Sequence, residues 1–132
     1  ELRVTSRPCP LLVPLVEEGW LDHEVTDAVL REYLAPMLVG GVDTLVLGCT
    51  HYPLLKESIA RVAGPEVALV DSAETCAAFV QRELQWQHLL ATEGEGSVRI
   101  HVTDEMERVS EMAGRFLGGP SHAVQQVELG AL

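Results

Sequence analysis

The chain has 132 residues, of which 47% are apolar and 22% are charged, and its formal net charge at pH 7 is −11. That length is enough for one domain with a hydrophobic core, whereas the acidic charge excludes the basic surface that nucleic-acid binding requires. The apolar runs are too short to span a bilayer, so we expect a globular protein without a nucleic-acid or membrane partner.

Strand-like and helix-like patterns alternate along the chain. In chain order they predict a strand in LRVTS (within 1–9), a helix at 21–38, a strand at 42–49, a helix at 53–63, a strand at 66–71, a helix at 72–90, a strand at 98–103, a helix at 104–117 and a short strand in VQQVEL. The short connections predict an α/β fold with a doubly wound, mainly parallel sheet flanked by helices.

Capping residues and helix breakers set the predicted boundaries. Asp22 is a suitable N-cap for the first helix, and Gly40 follows its end. Pro53 fits the first position of the second helix, where its missing N–H has no role. Either Asp71 or Ser72 can cap the third helix.

A thiol, a hydroxyl and an imidazole follow one another where the strand at 42–49 ends, at Cys49, Thr50 and His51. This strand is apolar on both faces, which is typical of a buried parallel strand, and ligands bind beyond the carboxyl ends of such strands. A following helix N-terminus favours a thiolate and holds carboxylates, and histidine exchanges protons near neutral pH. The triplet therefore predicts a reactive site, although a buried cysteine beside a capping histidine is the alternative.

The sequence gives little support for most of the other chemistries that cysteine, histidine and lysine residues can perform. Three widely spaced cysteines, Cys9, Cys49 and Cys76, are typical of free thiols in a reducing cytoplasm. Scattered histidines without a C-x-x-C pair argue against zinc, and the single lysine, Lys56, lies in a predicted helix rather than in a pyridoxal phosphate pocket, so we expect no metal or cofactor. The thiol-phosphatase spacing in CAAFVQR falls in a helix without glycine, whereas a Cys–His hydrolase using Cys49 and His51 stays open.

Three segments resemble the glutamate racemase family of the aspartate/glutamate racemase superfamily. They are LVLGCTHYPLL with VDSAE shortly after it, PCPLLVPLVEEG at 8–19, and VTDEMERVSEMAGRFLGG at 102–119. The resemblance covers nearly the whole chain. It implies one lobe of a two-lobed racemase fold and the cofactor-independent conversion of L-glutamate to D-glutamate, for peptidoglycan precursors in the cytoplasm.

The resemblance also implies roles for four residues. In this family two cysteines exchange protons with opposite faces of the substrate α-carbon, one from each lobe. Cys49 matches the C-terminal cysteine. Thr50 and His51 match positions that contact the substrate, and His51 also matches the residue that assists this cysteine. Glu17 matches an acidic residue near the site.

The family's N-terminal lobe, with its Asp-Ser loop, Tyr-Gly motif and first cysteine, has no counterpart here. The resemblance thus implies a C-terminal half that is inactive alone. Residues 1–90 would form the second catalytic lobe, and residues 91–132 a C-terminal strand–helix segment that packs on the missing N-terminal lobe. The chain begins at Glu1 rather than Met, so we expect further residues upstream. The missing lobe is an expected partner, and a homodimer is left open.

Two other functions fit the same residues. One is a related superfamily racemase that acts on aspartate or a hydantoin, and the other is a non-catalytic α/β interaction module. In the second case Glu17 would belong to an exposed acidic pair, and Cys49→Ala would have no chemical effect. Cys9 is expected to be a small residue between turns, and Cys76 a core position of its helix.

Overall fold

The computed structural model describes residues 2–94, 96–119 and 122–130. Its contacts divide the chain into two compact units, Glu1–Leu89 and Leu90–Leu132. The roles assigned above to the lobe and to the C-terminal segment stay predictions. No helix in the described ranges is long and apolar enough to cross a membrane.

Helices and strands alternate in both units. The first unit contains α1 (Leu12–Glu17), α2 (Glu24–Val39), β1 (Thr44–Leu47), a 3₁₀ helix (Tyr52–Leu55), α3 (Lys56–Ala63), β2 (Ala68–Asp71) and α4 (Ser72–Trp86). The second unit contains β3 (Ile100–Val102), α5 (Met106–Leu117) and β4 (Val124–Gln126).

All strand pairs in the described residues are parallel, which confirms the α/β class. β1 pairs with β2, so that Leu47 lies opposite Asp71, and β3 pairs with β4. In the described residues the strands form two two-stranded sheets, one in each unit. The VQQVEL strand is observed as β4.

The core of the first unit lies on one face of the β1–β2 sheet. Alternate residues of a strand point to opposite faces, and Leu45 and Leu47 of β1 are the ones that α1, α2 and α3 cover. Leu30 of α2 and Leu55 of the 3₁₀ helix are each 1% exposed. Burying a leucine side chain of this kind stabilises the fold by about 1.5–3 kcal/mol.

The opposite face of the sheet is exposed, so the prediction of a strand buried on both faces is wrong for this chain. Val46 is 74% exposed, and its partner in the parallel register, Val70, is also exposed. α4 has no buried residue. Cys76 is therefore exposed, and its prediction as a helix core position is wrong as well.

The N-terminal region differs from the prediction in two places. LRVTS forms no strand, because it pairs with no other strand in the described residues, and the side chain of Arg3 instead donates a hydrogen bond to the Gly40 carbonyl (2.6 Å). α1 was not predicted. Pro14 lies in its first turn, where the missing N–H would have no helical partner, so this proline is tolerated.

The helix caps are partly as predicted. Asp71 caps α4, because its Oδ1 accepts a hydrogen bond from the Glu74 N–H (2.8 Å). The cap of α2 is His23 rather than Asp22. The His23 Nδ1 accepts from the Val25 N–H (3.1 Å), while the Asp22 carboxylate pairs with a guanidinium on α3. The second predicted helix begins as a 3₁₀ turn before α3.

Candidate functional site

The three predicted residues Cys49, Thr50 and His51 lie in one loop, residues 48–55, which joins β1 to α3 and is called the site loop below. Backbone hydrogen bonds fold this loop. The Tyr52 N–H donates to the Cys49 carbonyl (3.2 Å), and the Leu54 N–H donates to the His51 carbonyl (3.1 Å). The triplet is thus held on an ordered turn at the carboxyl end of β1.

Glu17 meets the site loop at His51. The Oε1 of Glu17, at the end of α1, lies 3.5 Å from the Nε2 of His51, and both side chains are half-buried. On the other side of the ring, the His51 Nδ1 lies 3.4 Å from the Thr50 hydroxyl oxygen. A carboxylate beside an imidazole orients the ring. The structure therefore brings Glu17, Thr50 and His51 together at the loop that also carries Cys49.

Tyr52 is a member of this cluster that the sequence analysis missed. Its hydroxyl donates a hydrogen bond to the Cys9 carbonyl (3.3 Å). Burial raises the pKa of Tyr52 above its ordinary value, and electrostatic interaction with the nearby Cys9 and Cys49 side chains raises it further. Its position directly after the triplet, in CTHYP, was the sequence feature that could have identified it as part of the cluster.

Cys9 lies beside Tyr52 and packs against the core of the first unit. Its thiol donates to the Arg7 carbonyl (3.4 Å). Burial raises the pKa of the Cys9 thiol, and the positive charge of Arg7 opposes this effect. A thiol with a raised pKa carries little thiolate at neutral pH, which sets Cys9 apart from a reactive cysteine.

Lys56 and Asp71 form an ion pair at the end of the site loop. The Lys56 ammonium group lies 2.8 Å from the Asp71 Oδ2 and 2.6 Å from the Glu74 Oε1. The hydrogen bond from Lys56, followed by the backbone N–H of Glu74, holds the pKa of Asp71 below its ordinary value. The hydrogen bonds to Asp71 and then to Glu74 raise the pKa of Lys56.

The described residues contain no group of three or more His, Cys, Asp or Glu side chains placed to hold a metal ion. The expected absence of a cofactor stays a prediction. Two surface depressions in the described residues are lined by residues of the second unit, among them Glu111.

Comparison with known proteins identifies relatives of this sequence, although no family model matches it. The chain is 52% identical over 130 residues to a glutamate racemase of Syntrophus aciditrophicus, covering 98% of this chain and 48% of the relative. It is 50% identical over 128 residues to that of Neisseria meningitidis serogroup A, covering 96% of this chain and 47% of the relative. The chain thus spans about half the length of the curated relatives it matches.

Solved structures of glutamate racemases share the fold. The RacE1 isoform from Bacillus anthracis matches with a TM-score of 0.85 at 34% identity, over 97% of this chain and 48% of that one. The Thermus thermophilus enzyme, in complex with β-chloro-D-alanine, matches with a TM-score of 0.82 at 46% identity, over 93% and 47%. The Francisella tularensis enzyme, in complex with D-glutamate, matches with a TM-score of 0.82 at 32% identity, over 97% and 48%.

Proposed function

We propose that this chain, which is homologous to the C-terminal half of glutamate racemases, supplies one half of the catalytic site of such an enzyme. The reaction is the interconversion of L-glutamate and D-glutamate without a cofactor, which makes the complete protein an isomerase. The observation that carries the proposal is the cluster of Glu17, Thr50 and His51 at the loop that carries Cys49, in a chain that is 52% identical to a glutamate racemase over 130 residues.

The proposed chemistry needs one acid/base group on each face of the substrate α-carbon. The Cys49 thiolate removes the α-proton from one enantiomer, and a second cysteine from the other half of the enzyme delivers a proton to the opposite face. In the reverse direction Cys49 delivers the proton. His51, oriented by Glu17, exchanges a proton with the Cys49 sulfur, and the Thr50 hydroxyl binds a substrate carboxylate.

The partner that this proposal requires is the half of the relatives that the chain does not match. The exposed sheet face at Val46 and Val70 supports such a partner, because parallel sheets are usually covered on both faces. The lack of buried residues on α4 supports it too. A homodimer through the same surface is the alternative, but the net charge of −11 on each copy opposes it.

We further propose that the D-glutamate product enters peptidoglycan precursor synthesis, and so serves cell-wall biogenesis and cell shape. The cytoplasm is the compartment that this role requires. Free cysteines at Cys9, Cys49 and Cys76 fit a reducing compartment.

Complementation tests the proposal. The 132-residue chain is mixed or co-expressed with the N-terminal half of the Syntrophus aciditrophicus relative, and racemisation of L-glutamate is followed by circular dichroism. The chain alone should show no turnover, because one thiol serves one face of the α-carbon. The complex should racemise glutamate and exchange its α-proton with deuterated solvent.

Variants of the complex separate the competing functions. Cys49→Ser should lower turnover by a factor of about 10³ or more, since a serine hydroxyl is a far weaker base than a thiolate, while the exposed Cys76→Ser serves as the matched control. Turnover of aspartate or a hydantoin in place of glutamate would indicate another superfamily racemase. A stable complex that exchanges no α-proton of any of these would indicate an interaction module, and turnover by the chain alone would contradict the half-site.

A further inference from the structure

Asp71 lies next to the two residues that flank the site loop, Leu47 and Lys56. Leu47, the last residue of β1, lies opposite Asp71 in the parallel register of the two strands. Lys56, the first residue of α3, forms its 2.8 Å ion pair with the Asp71 Oδ2. The site loop leaves the sheet beside Asp71 and returns to the same residue, so Asp71 closes the base of the loop.

The closing residue is itself held firmly. The side chain of Asp71 is 1% exposed, and its Oδ1 accepts the N–H of Glu74 (2.8 Å). The Asp71 carbonyl accepts a hydrogen bond from the Thr75 hydroxyl (2.7 Å). Asp71 is therefore fixed by β2 on one side and by the first turn of α4 on the other, which gives the loop a rigid point of attachment.

We propose that the Asp71–Lys56 ion pair is a positioning pair, which fixes the site loop and thereby sets the place of the Cys49 sulfur and the His51 ring. The effect of the pair on catalysis rests on the proposed function, whereas its effect on the conformation of the site loop concerns this chain alone. Neither residue is proposed to touch the substrate. A misplacement of about 1 Å in a reacting group can cost about a hundredfold in rate, so a pair of this kind acts on turnover through geometry.

Hydrogen exchange of the 132-residue chain, followed by NMR, tests whether the pair fixes the conformation of the site loop. The amides of Tyr52 and Leu54 report on the site loop, because they hold its two internal hydrogen bonds. In Lys56→Gln we expect both amides to exchange about tenfold faster, as the loop opens locally. Asp71→Asn should give the same effect, because asparagine keeps an acceptor for the helix cap but loses the charge.

Two controls separate the closing of the loop from a general loss of stability. Arg61→Gln removes ion pairs from the same helix, α3, but these join it to Asp22 and Asp27 and not to β2. It should leave the loop amides unchanged. Lys56→Arg keeps the charge and should restore slow exchange. Unchanged loop amides in both Lys56→Gln and Asp71→Asn would overturn the inference, as would equal acceleration in Arg61→Gln.

The complemented enzyme supplies the catalytic readout. Lys56→Gln should lower kcat about tenfold or more with a smaller change in KM, because the pair positions Cys49 rather than binding glutamate. Lys56→Arg should recover most of kcat. Faster loop exchange with an unchanged kcat would overturn the catalytic role of the pair. An inactive wild-type complex would overturn the proposed function, while the exchange experiment still decides whether the pair fixes the loop.

Discussion

The Glu17 carboxylate lies 3.5 Å from the Nε2 of His51 and joins the end of α1 to the turn that carries Cys49. The two residues are distant in sequence, and the packing of α1 against the core brings them together, since Leu12 and Val16 of that helix are buried. The short helix α1 thus places the Glu17 carboxylate next to the His51 imidazole.

His51→Asn and Glu17→Gln should each lower turnover of the complemented enzyme, by about 10²-fold for His51→Asn and less for Glu17→Gln, because the first removes the proton partner and the second only its orienting group. The loss in kcat of His51→Asn should be larger in the direction in which Cys49 removes the α-proton than in the reverse direction. The two values of kcat/KM stay equal, since the enantiomers have equal free energies.

Initial rates from L-glutamate and from D-glutamate, measured by circular dichroism, check this. Glu18→Gln is the matched control, because Glu18 is the exposed neighbour of Glu17. Full activity of His51→Asn in both directions would show that His51 has no part in proton transfer.

The three thiols should differ in their reaction with iodoacetamide. Cys9 should react slowest at pH 7, because burial raises the pKa of its thiol. Its labelling rate should rise only when the pH exceeds the ordinary cysteine pKa of about 8.5. Cys49 should react fastest, and the exposed Cys76 gives the reference rate of an accessible cysteine. Peptide mapping after labelling at several pH values measures all three. Equal rates at Cys9 and Cys49 across this range would contradict the assignment.

Acid should destabilise the chain through Asp71. The Lys56 hydrogen bond holds the pKa of this carboxyl below its ordinary value of about 4, so the folded state binds fewer protons than the unfolded state in acid. Stability is present in full above the unfolded pKa and is lost as pH falls through the folded one. Urea unfolding between about pH 2 and pH 6 should show this fall, and Asp71→Asn should flatten it. An equal slope in that variant would assign the acid sensitivity to other carboxyls, such as Asp27.

Core and surface leucine and valine positions should respond very differently to truncation. Leu55→Ala should cost about 2–5 kcal/mol of unfolding free energy, because the side chain of this last residue of the site loop is fully buried in the core. Val46→Ala on the exposed sheet face should change it by about 0.5 kcal/mol or less. Urea denaturation of the chain alone measures both. A large loss in Val46→Ala would mean that this face is covered already in the isolated chain.

The same exposed face should govern complementation. Val46→Asp should leave the stability of the isolated chain nearly unchanged and weaken binding of the N-terminal half by about tenfold or more, because a buried interface then holds an unpaired charge. Leu2→Asp is the control, since Leu2 is also highly exposed but lies outside the sheet. Isothermal titration calorimetry gives the affinities. Equal affinities for wild type and Val46→Asp would place the partner elsewhere.

Local patterns were sufficient to predict the alternation of strands and helices and the place of Cys49, Thr50 and His51. The triplet follows an apolar run, and where such a run ends is a local property of the sequence. Glu17 came from family resemblance, because no local pattern links the end of α1 to an imidazole far along the chain.

The remaining contacts depend on tertiary packing, which local patterns do not encode. The Tyr52–Cys9 hydrogen bond and the Asp71–Lys56 pair each join segments that the fold brings together. The exposure of Val46 and Cys76 was missed for a related reason. An apolar strand and an amphipathic helix predict burial, but whether a face is covered depends on the elements that are present to cover it.

The two-stranded form of the β1–β2 sheet affects how this chain behaves in solution on its own. Each of these strands is hydrogen-bonded to only one neighbouring strand in the described residues, so each presents a free edge. Such edges are templates for strand addition and aggregation. The net charge of −11 keeps copies apart at low ionic strength, but a Debye length of about 3 Å in 1 M salt removes that repulsion. Purification at low salt, with the N-terminal half present from the start, is therefore the route to a soluble preparation.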